Sequence, residues 1–154
     1  MRVLVIGAGG VGSAFISITA RREAFTHLVV ADVDLERAQR AVDEAVEAGE
    51  LDAAQQARLH AERLDASDEV AVAALARSHK IDVVLNACDP RLNPPIFQGA
   101  FAANAHYVDM AMHLSEPHPT KPYEKTGRRL GDAQFAQSPL WKNRGLMALV
   151  GMGV

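Results

Sequence analysis

Short apolar runs, most of them rich in Val, Ile and Leu, recur at six places along this chain: 2–6, 27–31, 59–64, 82–86, 106–109 and 146–150. Between them, apolar residues return at helical spacing. After Asp34, the side chains of Leu35, Ala38, Val42, Ala45 and Val46 share one helical face, and Arg37, Arg40, Asp43, Glu44 and Glu47 face outward. An unbroken run such as Val83-Val84-Leu85 suits a strand buried on both faces. This alternation predicts an α/β fold with a doubly wound, mostly parallel sheet of Rossmann type.

Local signals set the expected helix limits. The first helix should run from near Gly10 to around Arg22, with Arg21 and Arg22 set against its negative end. Ser67 is the expected N-cap of a later helix, with Asp68 and Glu69 in its first turn. Asn93 followed by Pro94 reads as a cap and first helical residue, leading through Ile96, Phe97 and Phe101. Residues 113–131 lose periodicity and hold three prolines, which predicts a long loop. The segment 132–144 is helical in composition, broken at Ser138-Pro139 and ended by Gly145.

The first apolar run continues into Gly7-Ala8-Gly9-Gly10-Val11-Gly12. Gly7, Gly9 and Gly12 fit the spacing G-x-G-x-x-G, a pattern that is weak alone and much stronger between a strand and a helix. Gly7 permits the tight turn, Gly9 lets the backbone approach a pyrophosphate, and Gly12 lets the helix pack closely on the sheet. Backbone amides around Gly10 and Val11, at the helix start, then bind phosphate with help from the helix dipole. Asp32, at the end of the second run, stands where a carboxylate accepts ribose hydroxyls and marks NAD. A 2′-phosphate within about 4 Å of that charge would cost on the order of a few kcal/mol per charge pair before screening. Arg37 could offset part of this, so NADP stays open.

Other candidates lie at the same expected sheet edge. Asp65 either meets the adenine amino group or solvates the helix that follows, and the sequence leaves both readings open. Asn86, Ala87, Cys88 and Pro90 leave the fourth strand where the nicotinamide ribose would run. Cys88 reads as a small, partly buried neighbour of that ribose, since no feature argues for a reactive thiolate. Asp109 ends the fifth strand and is the one catalytic candidate, with a loop-anchoring carboxylate as the competing reading. His113 and His118 lack further ligands at metal spacing and read as loop histidines, so no metal site is expected.

Composition narrows the classes. The chain has 154 residues, enough for one domain with a sizeable core. A net charge of -3 and a pI near 6.0 give no general attraction to nucleic acid or an anionic membrane. Residues 111–154 are mildly basic, with 6 basic and 3 acidic side chains, which reads as a solvated loop surface. The uncharged run 3–20 is interrupted by four glycines and is not read as a leader or membrane span. The single cysteine excludes an internal disulfide and fits a reducing cytoplasm.

Taken together, the opening Val-Leu-Val-Ile-Gly-Ala-Gly-Gly-Val-Gly, the run Asp82-Val83-Val84-Leu85-Asn86-Ala87, His106-Tyr107-Val108-Asp109 and the stretch Leu146 to Gly153 resemble the N-terminal domain of the saccharopine dehydrogenase family. The resemblance covers essentially the whole chain. It implies an oxidoreductase that moves a hydride between NAD(P) and an imine or secondary-amine carbon of an amino acid. It also implies a substrate and dimerisation domain after residue 154, with this part inactive alone, and a homodimer formed through that domain. A stand-alone nucleotide-sensing module is the alternative of similar length and opening motif. A methyltransferase fits less well, because its loop usually wants glycine where Val11 stands, and an interaction-only domain is a further class.

Overall fold

The computed structural model describes residues 1–153. Six strands form one sheet, all parallel: β1 (Arg2–Ile6), β2 (His27–Asp32), β3 (Leu59–Arg63), β4 (Val83–Asn86), β5 (His106–Asp109) and β6 (Ala148–Leu149). Their spatial order is β3-β2-β1-β4-β5-β6. The chain winds outward from β1 in one direction, then crosses over and winds in the other. This places a switch point between β1 and β4, where ligands of such sheets bind beyond the carboxyl ends of the strands. In register, Ile6 lies beside Ala31 on one side and Asn86 on the other, and Asn86 lies beside Asp109.

Helices cover the two faces in separate groups, as right-handed crossovers require. Ile16 of α1 (Gly10–Thr19) and Ala38, Ala41, Val42 and Ala45 of α2 (Leu35–Gly49) pack on Val3, Val5, Leu28 and Val30. On the other face, Val72 of α4 (Glu69–Ser78), Phe97 of α5 (Asn93–Ala102) and Trp141 of α7 (Ser138–Asn143) pack on Leu4, Ile6, Val29 and Tyr107. Phe97 meets Tyr107 edge-on at 5.1 Å between ring centres, a pairing favoured by the ring quadrupoles. No helix among the described residues is long and apolar enough to cross a membrane.

Several local expectations need correcting. The first helix stops at Thr19, because the Arg58 guanidinium donates to the carbonyls of Ala20, Arg22 and Phe25 and satisfies the helix end from β3's approach. Leu35 is exposed rather than on the buried face of α2. Asp68, not Ser67, caps α4 by accepting from the amides of Val70 and Ala71. Asn93 is the first residue of α5 rather than its cap, and its side chain is buried. A further short helix, α3 (Ala53–Gln56), is held by a full capping box between Asp52 and Gln55. The 113–131 segment carries no helix or strand, but Glu116 and Arg128 form an isolated antiparallel bridge across it. The segment after it splits into α6 (Asp132–Phe135) and α7, and β6 is only two residues long.

Candidate functional site

The turn from β1 into α1 is dictated by two crowded glycines. Gly7 has φ +101°, and a Cβ there would lie 2.9 Å from Cys88 Sγ and 3.0 Å from the Ala87 carbonyl. At Gly12 a Cβ would collide with the Gly7 carbonyl oxygen. Gly9 and Gly10 differ in kind. A Cβ at either would have no atom within 4 Å, so nothing in the protein demands glycine there. Open space above a helix N-terminus is what a ligand needs to come close to the backbone.

No side chain caps α1 at Gly9. The first-turn amides of Gly10, Val11 and Gly12 have no partner within the helix, as at every helix start. In front of this turn lies a cleft of about 370 Å³, within the range of small-ligand sites. Gly7 and Gly9 line it beside Asp32, Arg37, Asp65 and Cys88. A second cavity of about 290 Å³ lies between α7 and β6, bordered by Phe97, Trp141 and Ala148, away from the glycine turn.

Asp32 is buried, with 7% of its surface exposed. Its Oδ2 accepts from the Ala8 amide at 2.9 Å, and its Oδ1 accepts from the Asp34 amide at 3.1 Å. The carboxylate therefore braces the glycine turn from the end of β2. Two of its roughly four acceptor directions remain for other donors. Arg37 Nη1 approaches Oδ1 at 3.6 Å from a largely exposed position, too loosely for a strong pair. Asp65 stands on the cleft's rim, and its Oδ1 accepts from the Ser67 hydroxyl and amide. Those two bonds hold its carboxyl below the usual range. Of the two readings of Asp65, the loop-forming one describes Oδ1.

Cys88 sits on the cleft floor with Sγ 3.3 Å from the Ile6 carbonyl. Burial, aided by the charges of Asp32 and Asp89, pushes its thiol up to about 11. The thiol is thus not a nucleophile at neutral pH. We expect Cys88 to be alkylated at pH 7.5 at least tenfold more slowly than a free cysteine peptide, as iodoacetamide labelling would measure. Asp89 opens a 3-10 turn, Pro90–Leu92, by accepting from the Arg91 amide. Hydrogen bonds from the Arg91 side chain and amide hold its carboxyl far below the usual range. Pro90 stands off the cleft, its carbonyl 3.1 Å from His113 Nδ1.

Asp109 does not face the cleft as a free acid. It is 1% exposed and surrounded by donors. Tyr107 Oη donates to Oδ2 at 3.0 Å, Gln134 Nε2 at 2.7 Å and Asn93 Nδ2 at 3.2 Å, while the Gly151 amide donates to Oδ1 at 2.6 Å. Three of these donors crowd Oδ2 and one takes Oδ1, so most of the carboxylate's acceptor capacity goes to structural bonds. These contacts make Asp109 an anchor that ties the end of β5 to α5, α6 and the turn at Gly151. The network continues inward: Asn86 Nδ2 donates to Asn93 Oδ1 and Tyr107 Oη, and Asn86 Oδ1 accepts from the Cys88 amide. Asn86 thereby fixes the loop under the cleft to β5 and the start of α5. Burial and the neighbouring Asp109 charge push the Tyr107 phenol well above its ordinary range.

Two members of this network, Asn93 and Gln134, were not expected. Asn93 was legible only as a helix cap, and Gln134 carries no local signal at all. His118 accepts from the Thr120 and Lys121 amides as a loop former. No cluster of metal-ligating side chains occurs among the described residues.

The family described as "Saccharopine dehydrogenase NADP binding domain" matches residues 3–149. The chain belongs to that family. It is a nicotinamide dinucleotide-binding domain, and the cleft's open glycines and uncapped helix start fit such a group. Among solved structures, it is similar to saccharopine dehydrogenase (L-Glu forming) from Saccharomyces cerevisiae, with 18% identity and a TM-score of 0.68. That match covers 98% of this chain and 27% of the yeast protein, so the domain spans about a quarter of that protein's length. A UDP-glucose-4-epimerase from Stenotrophomonas maltophila with bound NAD is similar over 97% of this chain and 52% of its own, at 16% identity and TM-score 0.58. Quinate dehydrogenase from Corynebacterium glutamicum in complex with NAD matches 97% of this chain and 44% of its own, at 19% identity and TM-score 0.52. At these identities the three structures show a common fold.

Proposed function

We infer that this chain holds the cofactor of an oxidoreductase that moves a hydride between a nicotinamide dinucleotide and an imine or secondary amine derived from an amino acid. The observation that carries the reading is the pairing of an uncapped helix start, open at Gly9 and Gly10, with a buried acid at the end of β2. In this reading the amides of Gly10, Val11 and Gly12 hold the pyrophosphate, with Gly7 and Gly9 shaping the approach. Asp32 accepts the adenosine ribose hydroxyls with the directions its two amide bonds leave open. Asp65 lies where the adenine edge would pass. The backbone of Asn86, Ala87 and Cys88 would hold the nicotinamide ribose, with Pro90 stiffening the loop beyond. The bound nicotinamide supplies the hydride. The chain's own residues orient it and keep water from its face.

NAD is the preferred cofactor in this reading, although the family's description names NADP. The buried Asp32 carboxylate would repel a 2′-phosphate, and Arg37 is too loosely held to cancel its charge. The amino-acid substrate would meet a further domain of the whole protein, as would the homodimer partner. A cytoplasmic setting completes the reading. Calorimetric titration tests the cofactor preference: NADH binds more tightly than NADPH, and Asp32→Ala weakens NADH at least tenfold while narrowing the gap to NADPH. Equal NADH affinity for wild type and Asp32→Ala would remove the ribose role.

A further inference from the structure

At the opposite, amino-terminal edge of the sheet, three of the six histidines gather with a carboxylate and an arginine. His27 opens β2, His60 and Glu62 lie on the same side of edge strand β3, and His79 ends α4. The rings of His27 and His60 are tilted 40° to each other with 4.3 Å between centres, and those of His27 and His79 stand 5.3 Å apart. His27 Nε2 is 3.0 Å from His79 Nδ1, and His79 Nε2 is 3.2 Å from Glu62 Oε1. Arg2, at the start of β1, donates from Nε to the His79 carbonyl at 2.7 Å. The Asp82 carboxylate ahead of β4 is taken up by the Arg2 amide.

This arrangement holds together only while the rings are mostly neutral. A hydrogen bond between two imidazole nitrogens needs one of them to keep a lone pair. Glu62 and the carbonyl end of α4 can balance one positive charge there. A second proton would set two cations within a few ångströms of each other and of Arg2. Among the described residues no other carboxylate faces the rings, since Asp82 is directed to the Arg2 amide. β3 is an edge strand that pairs with β2 alone, and it carries two members of the cluster.

We propose that the His27–His60–His79–Glu62 cluster is an acid-sensitive latch that ties edge strand β3 and the end of α4 to the sheet at neutral pH and releases them on acidification. The direction follows from linkage. Burial and the neighbouring His60, Arg2 and His79 lower His27 from 6.5 to about 4, and burial and His79 lower His60. The released state takes up these protons before the folded state does. The latch's contribution is therefore whole above about pH 6.5, falls as pH drops below that value, and is spent near pH 4. Discounted for solvent screening of half-exposed rings, His27 alone shifts the closed-to-open ratio about tenfold between pH 7.5 and 5.

Amide hydrogen exchange read by NMR at pH 7.5 and 5, corrected for intrinsic rates, tests this on the whole chain. The amides of β3 lose about tenfold more protection than those of β1 and β4 on acidification, and His27→Gln/His60→Gln removes that excess loss. An identical pH response in wild type and double variant would overturn the latch. Should the double variant fold poorly, ring proton shifts of the wild type decide the matter. The His27 ring shows no titration between pH 8 and 5.5, whereas three independent titrations near 6.5 would sink the proposal.

Discussion

Asp109→Ala lowers stability by about 3–5 kcal/mol, the size associated with breaking a buried charged network. Four donors lose their acceptor at once: the Tyr107 hydroxyl, the side-chain amides of Asn93 and Gln134, and the Gly151 backbone amide. Each is shielded from water to some degree, and a buried donor without a partner costs about 1–3 kcal/mol. Relaxation and entering water reduce the sum. Against a total of about 5–15 kcal/mol for a typical domain, the loss is severe. Asp109→Asn does not rescue it, because an amide NH2 must then point at one set of donors or the other. Urea denaturation of the three proteins measures the effect. A change under about 1 kcal/mol for Asp109→Ala would mean that the carboxylate is not the anchor its contacts describe.

The glycine turn separates folding from binding. Gly12→Ala drives a methyl into the Gly7 carbonyl oxygen. Neither backbone can yield freely: the Gly7 amide is bonded to the Ala31 carbonyl, and the Ser13 amide ties the helix start to Gly9. The expected cost is about 2–4 kcal/mol, together with loss of dinucleotide binding as the turn deforms. Gly9→Val meets no protein atom within reach of its Cβ and sits in extended backbone, φ -77°, ψ -167°, that valine adopts readily. It should leave stability near that of wild type and fill the space above the helix start. A thermal melt distinguishes the two before any ligand is added.

What the sequence disclosed and what it withheld have a common cause. β1, β2 and β4 were legible within a residue or so, because strands buried on both faces must be largely apolar. The glycine turn was legible because crowding at Gly7 and Gly12 leaves no other residue type. The Asp109 network was hidden, since its members come from β4, α5, β5 and α6 and meet only in three dimensions. Asn93 looked like a cap because Asn before Pro usually is one, and tertiary burial overrode that local preference. Arg58, which ends the first helix, lies 36 residues beyond Arg22, whose carbonyl it holds. The histidine latch shows the same limit: residues 27, 60 and 79 share no local pattern, and the parallel register sets His60 beside Val29, two residues along β2 from His27.

The most direct test of dinucleotide binding at the β1–α1 turn is the affinity for NADH of wild type and Gly9→Val, titrated by nicotinamide fluorescence under conditions where their melting temperatures agree. Wild type should bind, and the variant should bind at least a hundredfold more weakly because its side chain occupies the diphosphate's approach. Equal affinities, or no binding by the wild type, would contradict a dinucleotide at this turn.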